Sequence, residues 1–86
     1  MEGYIYLIQS EKDGTYYFGS TKDVSLRLFQ HNQGKSSSTR KRCPWKLIHT
    51  VKFDSIARAR SAEQNLKSKK KKISLAWFLE GIALLS

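Results

Sequence analysis

Residues 15 to 32, TYYFGSTKDVSLRLFQHN, change their period in mid-course, and that change constrains the chain more than any other feature. Thr15 to Phe18 reads as a tyrosine-rich strand, Gly19 ends the strand, and Val24 to His31 repeats apolar residues at helical spacing. Ser20, Thr21 and Asp23 stand where helix-capping oxygens belong. Upstream, Tyr4-Ile5-Tyr6-Leu7-Ile8 is apolar and β-prone, and Glu11-Lys12-Asp13-Gly14 is a turn. Residues 4 to 18 therefore read as a β-hairpin. The helix that follows is expected to turn Leu26, Leu28 and Phe29 inward while carrying Arg27 and His31 one turn apart.

Asn32-Gln33-Gly34 closes that helix, and Lys35 to Pro44 is a basic loop with no core residues of its own. Trp45 to Phe53 alternates as a third strand, with Leu47, Val51 and Phe53 set against Lys46 and Lys52. Asp54-Ser55 caps a helix from Ile56 to Ser68 whose inner stripe is Ile56, Ala59, Ala62 and Leu66. After four lysines, Lys69 to Lys72, residues 73 to 85 form a third amphipathic helix, with Trp77, Phe78 and Leu84 on the core. The order β-β-α-β-α-α implies an α+β fold, a small three-stranded antiparallel sheet flanked by helices. Residues 1–86 read as one domain, with a core over about 3–68 and a C-terminal packing helix over about 73–85.

Charge narrows the function. Sixteen Lys and Arg against seven Asp and Glu leave a net +9. On so small a surface this makes a positive field suited to a polyanion, nucleic acid above all. An anionic membrane fits less well, because the basic run lacks interleaved apolar anchors. No run of about 18 apolar residues is present, so no membrane span is expected. The start MEGYIYLIQS lacks a signal peptide's basic region and cleavage site, and a single Cys43 forms no internal disulfide. Both features lead to an expectation of cytoplasmic location. Cys43, His31 and His49 are scattered singly, which argues against zinc.

Several side chains could carry chemistry. Arg27 and His31, four residues apart on a helix, share a face with their Cβ atoms about 6 Å apart. Arginine offers a rigid, permanently charged fork for a phosphate; its plainer role is a solvated charge at the edge of the core. Tyr6 and one of Tyr16 and Tyr17 can share a face of the hairpin, and a tyrosine near a cation can accept a proton instead of merely satisfying its hydroxyl. Glu63 is a lone acid among cations. It suits an i, i+4 pair with Lys67, or a divalent ion whose shell water and phosphate complete.

Tyr4-Ile5-Tyr6, Tyr17-Phe18-Gly19, Arg27, His31-Asn32 and Glu63, in this order and spacing, resemble the GIY-YIG nuclease family. The resemblance is to its small single-domain, excinuclease-subunit-C-like bacterial branch, and runs from about Gly3 to Leu66 through YIYLI, YYFGSTKDVSLRLFQHN, TRKRCPWKLIH and AEQNLK. Tyr4 replaces the glycine of the first motif and Phe18 the isoleucine of the second; both are scaffold positions. The resemblance implies metal-dependent hydrolysis of a phosphodiester bond. Tyr6, Tyr17, Arg27, His31 and Glu63 would be the catalytic set. Glu63 would hold one Mg²⁺ or Mn²⁺, polarising the phosphate and stabilising the departing 3′-oxygen, and Arg27 would neutralise its nonbridging oxygens. Tyr6 would orient or deprotonate water with Tyr17 in support, leaving open which is the base, and His31 would contact phosphate or assist the tyrosine.

Lys35, Arg40, Lys41, Arg42, Lys69, Lys70, Lys71 and Lys72 are expected to grip nucleic-acid backbone, with DNA favoured over RNA and little base preference. Trp45 is expected to pack under the third strand rather than stack on a base. With no appended specificity domain expected, a partner protein is the expected source of targeting, and a monomer is expected. Two other roles compete: a basic binding module with weak or no turnover, and an adaptor docking through ISLAWFLEGIALLS.

Overall fold

The structure, a computed structural model, describes residues 2–69 and 72–85. Strand β1 (Gly3–Ser10) is followed by β2 (Tyr16–Thr21), helix α1 (Val24–Asn32), strand β3 (Trp45–Phe53), and helices α2 (Ile56–Ser68) and α3 (Leu75–Leu85). The strands form one antiparallel sheet in the order β2-β1-β3, so the expected fold class and element order hold. The hairpin turns through Ser10, whose hydroxyl accepts from the amides of Lys12 and Asp13 at 3.1 and 3.2 Å, and through Gly14 at φ +77°. That left-handed conformation is cheap for glycine and costly for other residues.

Central strand β1 is covered on both faces, which explains its unbroken buried run from Ile5 to Ile8. Ile5 and Leu7 join Phe18, Ala59, Ala62, Leu66 and Phe78 in the main core under α2 and α3. Tyr6, Ile8 and Trp45 form a smaller cluster on the opposite face, with Tyr17, Val24 and Leu28 packed against it. Each large apolar side chain so buried contributes about 1.5–3 kcal/mol.

The structure corrects several expectations. Gly19 does not end the strand; β2 continues to Thr21, with Gly19 paired opposite Tyr6. Leu26 and Phe29 are 52% and 57% exposed, because the inward line of α1 runs through Val24, Leu28 and the fully buried His31. A register irregularity beside Leu7 and Ile8 places Leu47 opposite Ile8 and leaves it 44% exposed, while Ile48 packs on the main core. Helix α3 begins at Leu75 because the Ser74 hydroxyl caps it, accepting from Trp77 N at 3.1 Å. Trp77 and Phe78 pack on the core as expected, but Leu84 is 77% exposed. Among the described residues no helix is long and apolar enough to cross a membrane.

Candidate active site

The site begins with a gap in the edge strand. Tyr6 leaves β1 towards α1, and its ring passes over Gly19 of β2. A Cβ at position 19 would lie 2.6 Å from the Tyr6 hydroxyl, so only a glycine lets the phenol reach across the sheet edge. Ser20, the next residue, points to the other face and donates its hydroxyl hydrogen to Glu63 Oε1 from beneath. Ser20 is thus a carboxylate partner and not a helix cap. Capping falls to Asp23, whose Oδ1 accepts from Leu26 N at 3.0 Å.

Two residues on one edge strand therefore connect the sheet's two faces. Glu63 is 9% exposed on α2, and its second oxygen, Oε2, meets Lys67 Nζ at 2.6 Å, the expected i, i+4 pair. The Tyr6 hydroxyl senses Arg27, Tyr17 and Glu63 electrostatically. Burial raises its pKa to about 12 against the opposing influence of the Arg27 charge. At neutral pH Tyr6 is a phenol.

Behind the phenol, Tyr6 Oη lies 2.9 Å from His31 Nε2, and His31 Nδ1 lies 2.7 Å from Thr39 Oγ1. Burial, aided by the Arg27 charge, pushes the His31 pKa down to about 4, so the ring is neutral. His31 is wholly buried, with its two ring nitrogens on Tyr6 and Thr39. The Tyr17 ring packs on His31 at 5.4 Å between centroids and on Trp45 at 6.2 Å. Arg27 is half-buried and donates to Gln30 Oε1 at 3.2 Å.

Arg42 and Lys72 line a cleft of about 540 Å³ with Tyr16 and Tyr17, so these cations border the tyrosine end of the site. Arg42 also pairs with Asp13 at 3.5 Å. Lys35, Arg40, Lys41 and Lys69 are exposed, while Lys70 and Lys71 lie outside the described residues. Trp45 is buried and donates from Nε1 to Thr39 O at 2.9 Å, which suits packing and not base stacking.

Sequence reasoning missed the partners of three supporting residues. Ser20 holds Glu63, Thr39 meets His31, and Asn32 ties α1 to β3 through Trp45 N and O at 2.6 and 3.1 Å. Each is a small polar residue whose partner lies 8 to 43 positions away, beyond any local pattern.

The donor set fits a single hard cation. Among the described residues no three His, Cys, Asp or Glu gather, which leaves one carboxylate whose shell water and phosphate would complete, as Mg²⁺ accepts. Lys67, partly exposed on a flexible stem, already places positive charge on Oε2.

A family model described as the GIY-YIG catalytic domain matches residues 2–76. The chain belongs to the GIY-YIG family. A UPF0213 protein of Streptococcus pneumoniae is 45% identical over 71 residues, spanning 81% of this chain and 71% of its own. Another, from Halobacterium salinarum, is 43% identical over 65 residues, spanning 74% of this chain and 83% of its own. The solution NMR structure of a UPF0213 protein from Bacillus halodurans superposes with a TM-score of 0.51 at 32% identity, covering 98% of this chain and 85% of that one. GIY-YIG is a nuclease family whose members generally use a divalent metal.

Proposed function

We propose that this GIY-YIG protein is a metal-dependent endonuclease hydrolysing phosphodiester bonds in DNA, directed by strand structure or single-strandedness more than by sequence. Supporting this reading, Gly19 lets Tyr6 reach over the edge strand, its neighbour Ser20 holds Glu63 on the other face, and Arg27, Tyr17 and Glu63 all act electrostatically on the Tyr6 hydroxyl. Arg27 neutralises charge growing on the nonbridging phosphate oxygens, in a partly dry site where one such contact is worth several kcal/mol. Tyr6, once it has lost its proton to solvent, accepts the proton of the attacking water. Tyr17 packs against His31 and His31 steadies Tyr6, so the phenol is aimed before substrate arrives. Glu63 would hold one Mg²⁺ or Mn²⁺, which when bound supplies Lewis-acid polarisation of the phosphate and charge for the departing oxygen.

The basic loop and Lys72 supply affinity without base readout, so targeting falls to strand structure or to a partner protein. A role in DNA repair or recombination, as a cytoplasmic monomer, agrees with that. The test is cleavage of single-stranded, nicked and branched DNA with Mg²⁺ or Mn²⁺. Wild type is expected to cut, with Glu63→Ala and Arg27→Ala slower by about 10² or more. Equal cleavage by both variants removes the proposal.

One observation favours a second reading. Both Glu63 oxygens are already engaged, by Ser20 and Lys67, as in a purely structural ion pair. A binding module of that kind would show salt-sensitive DNA binding, no products with any metal, and undiminished affinity in Glu63→Ala.

A further inference from the structure

Beside the tyrosine end of the site lies a cleft that the cleavage chemistry leaves unused. Its volume of about 540 Å³ is within the usual range for a site that takes a small organic group. The cleft wraps the outer edge of β2, an edge strand of the sheet. Tyr16 and Tyr17 are successive residues of that strand, so they leave it on opposite faces. Tyr16 packs towards the main core and Tyr17 towards the smaller cluster, yet both line the cleft.

The two rings are not equally committed. Tyr17 is occupied by its contacts with His31 and Trp45. Tyr16 is half-buried against the main core, and among the described residues its ring meets no other aromatic ring and its hydroxyl makes no hydrogen bond. No buried side-chain polar atom among the described residues lacks a partner, so the Tyr16 hydroxyl, having none, lies open.

Cations flank the rings on both sides. Arg42 adjoins Cys43 of the smaller cluster, and Lys72 adjoins Ile73 of the main core. Asp13 is the one acid in the lining, which leaves a net positive charge. Its Oδ1 accepts from Thr15 N at 3.0 Å, and its Oδ2 meets Arg42 Nε at 3.5 Å. That pairing uses the inner edge of the guanidinium. The two terminal nitrogens of Arg42 donate no hydrogen bond among the described residues. Lys72 is exposed and has no ion-pair partner among them.

An uncommitted aromatic ring with a cation on each side fits one nucleotide of a nucleic-acid strand, its base on the ring and its backbone phosphates on the cations. A paired base is stacked within its duplex and has no face to offer, so such a cleft takes an unpaired one. We propose that this cleft binds an unpaired nucleotide next to the cut, with its base against Tyr16 and its phosphates on Arg42 and Lys72, and thereby selects single-stranded DNA. Tyr17 lines the cleft and packs on His31, so the cleft and the site adjoin. The place of this nucleotide beside a cut rests on the nuclease proposal; the capture of an unpaired base does not.

The test is made without metal, so that no strand is cut. Fluorescence anisotropy compares one oligodeoxynucleotide as a single strand and as a duplex. Tyr16→Leu keeps an apolar group on the core and removes the flat ring. It is expected to bind the single strand about fivefold or more weakly, with duplex affinity unchanged and with Tyr16→Phe like wild type. An unchanged ratio of single-strand to duplex affinity in Tyr16→Leu overturns the stacking role. In wild type, the Tyr16 ring-proton resonances are expected to move upfield with the single strand and to stay in place with the duplex. Resonances unmoved by the single strand overturn the site without recourse to any variant. Lys72→Ala is expected to lower the salt slope of single-strand binding by about 0.7, and an unaltered slope overturns that phosphate contact. Free dAMP, at the concentration that saturates with the strand, is expected to leave the Tyr16 resonances in place. A shift as large as the strand's makes this a mononucleotide pocket and overturns the strand assignment. If the binding results hold and wild type with Mg²⁺ or Mn²⁺ cuts nothing, the nuclease proposal fails and the cleft stands.

Discussion

A neutral imidazole sealed behind Tyr6 makes His31 sensitive to acid. Its pKa falls from the usual 6.5 to about 4 on folding, so between these values the unfolded chain binds the extra proton. The stability it confers is present in full above pH 6.5, drains away as the pH falls to about 4, and changes no further below that. A depression of that size corresponds to roughly 3 kcal/mol at 1.36 kcal/mol per pH unit. Urea midpoints measured at pH 7.5, 5.5 and 4 should fall more steeply for wild type than for His31→Gln. Parallel profiles would show that the ring is not held neutral. Tyr6, Tyr17, Arg27 and Glu63 were legible as candidates because order and spacing along the chain single them out. Ser20 and Thr39 were not, since their roles exist only where β2 meets α2 and where the basic loop closes on α1.

Strand β2 and helix α1 were placed correctly in outline and misread in detail, for one reason. Local patterns reward apolar residues, whereas this site spends interior positions on polar ones. On α1 the inward line includes buried His31, which displaces Leu26 and Phe29 to the surface although they are the more hydrophobic side chains. On β2 a glycine normally signals a strand end, but here it clears the path of a ring from the neighbouring strand. Gly19→Ala tests this. The new methyl, 2.6 Å from the hydroxyl, must push Tyr6 off His31, so cleavage should fall by about 10² while stability changes by only about 1–2 kcal/mol. Undiminished cleavage in a folded Gly19→Ala would mean that Tyr6 need not lie over the gap. Helix α2 was read without error, because its stripe of Ile56, Ala59, Ala62 and Leu66 carries ordinary packing.

Across the whole molecule, the net +9 and the exposed cations of the loop are independent of the catalytic geometry and were visible from composition. They predict binding to single-stranded DNA whose logarithmic affinity falls with log salt at a slope of about −0.7 per phosphate contacted. Arg40→Ala should lower that slope by about 0.7 without changing base preference, as fluorescence anisotropy over a salt series would read; a flat series would contradict it. Composition does not say that groups from both faces of a sheet meet at one edge. That convergence is the central claim, and a double-mutant cycle in single-turnover cleavage with Mg²⁺ addresses it directly. Wild type, Arg27→Ala, Glu63→Ala and the double variant are compared on one DNA. Residues serving one phosphate fail together, so the double variant should be little slower than the worse single variant. Losses that simply multiply would place Arg27 and Glu63 at separate tasks and contradict the shared site.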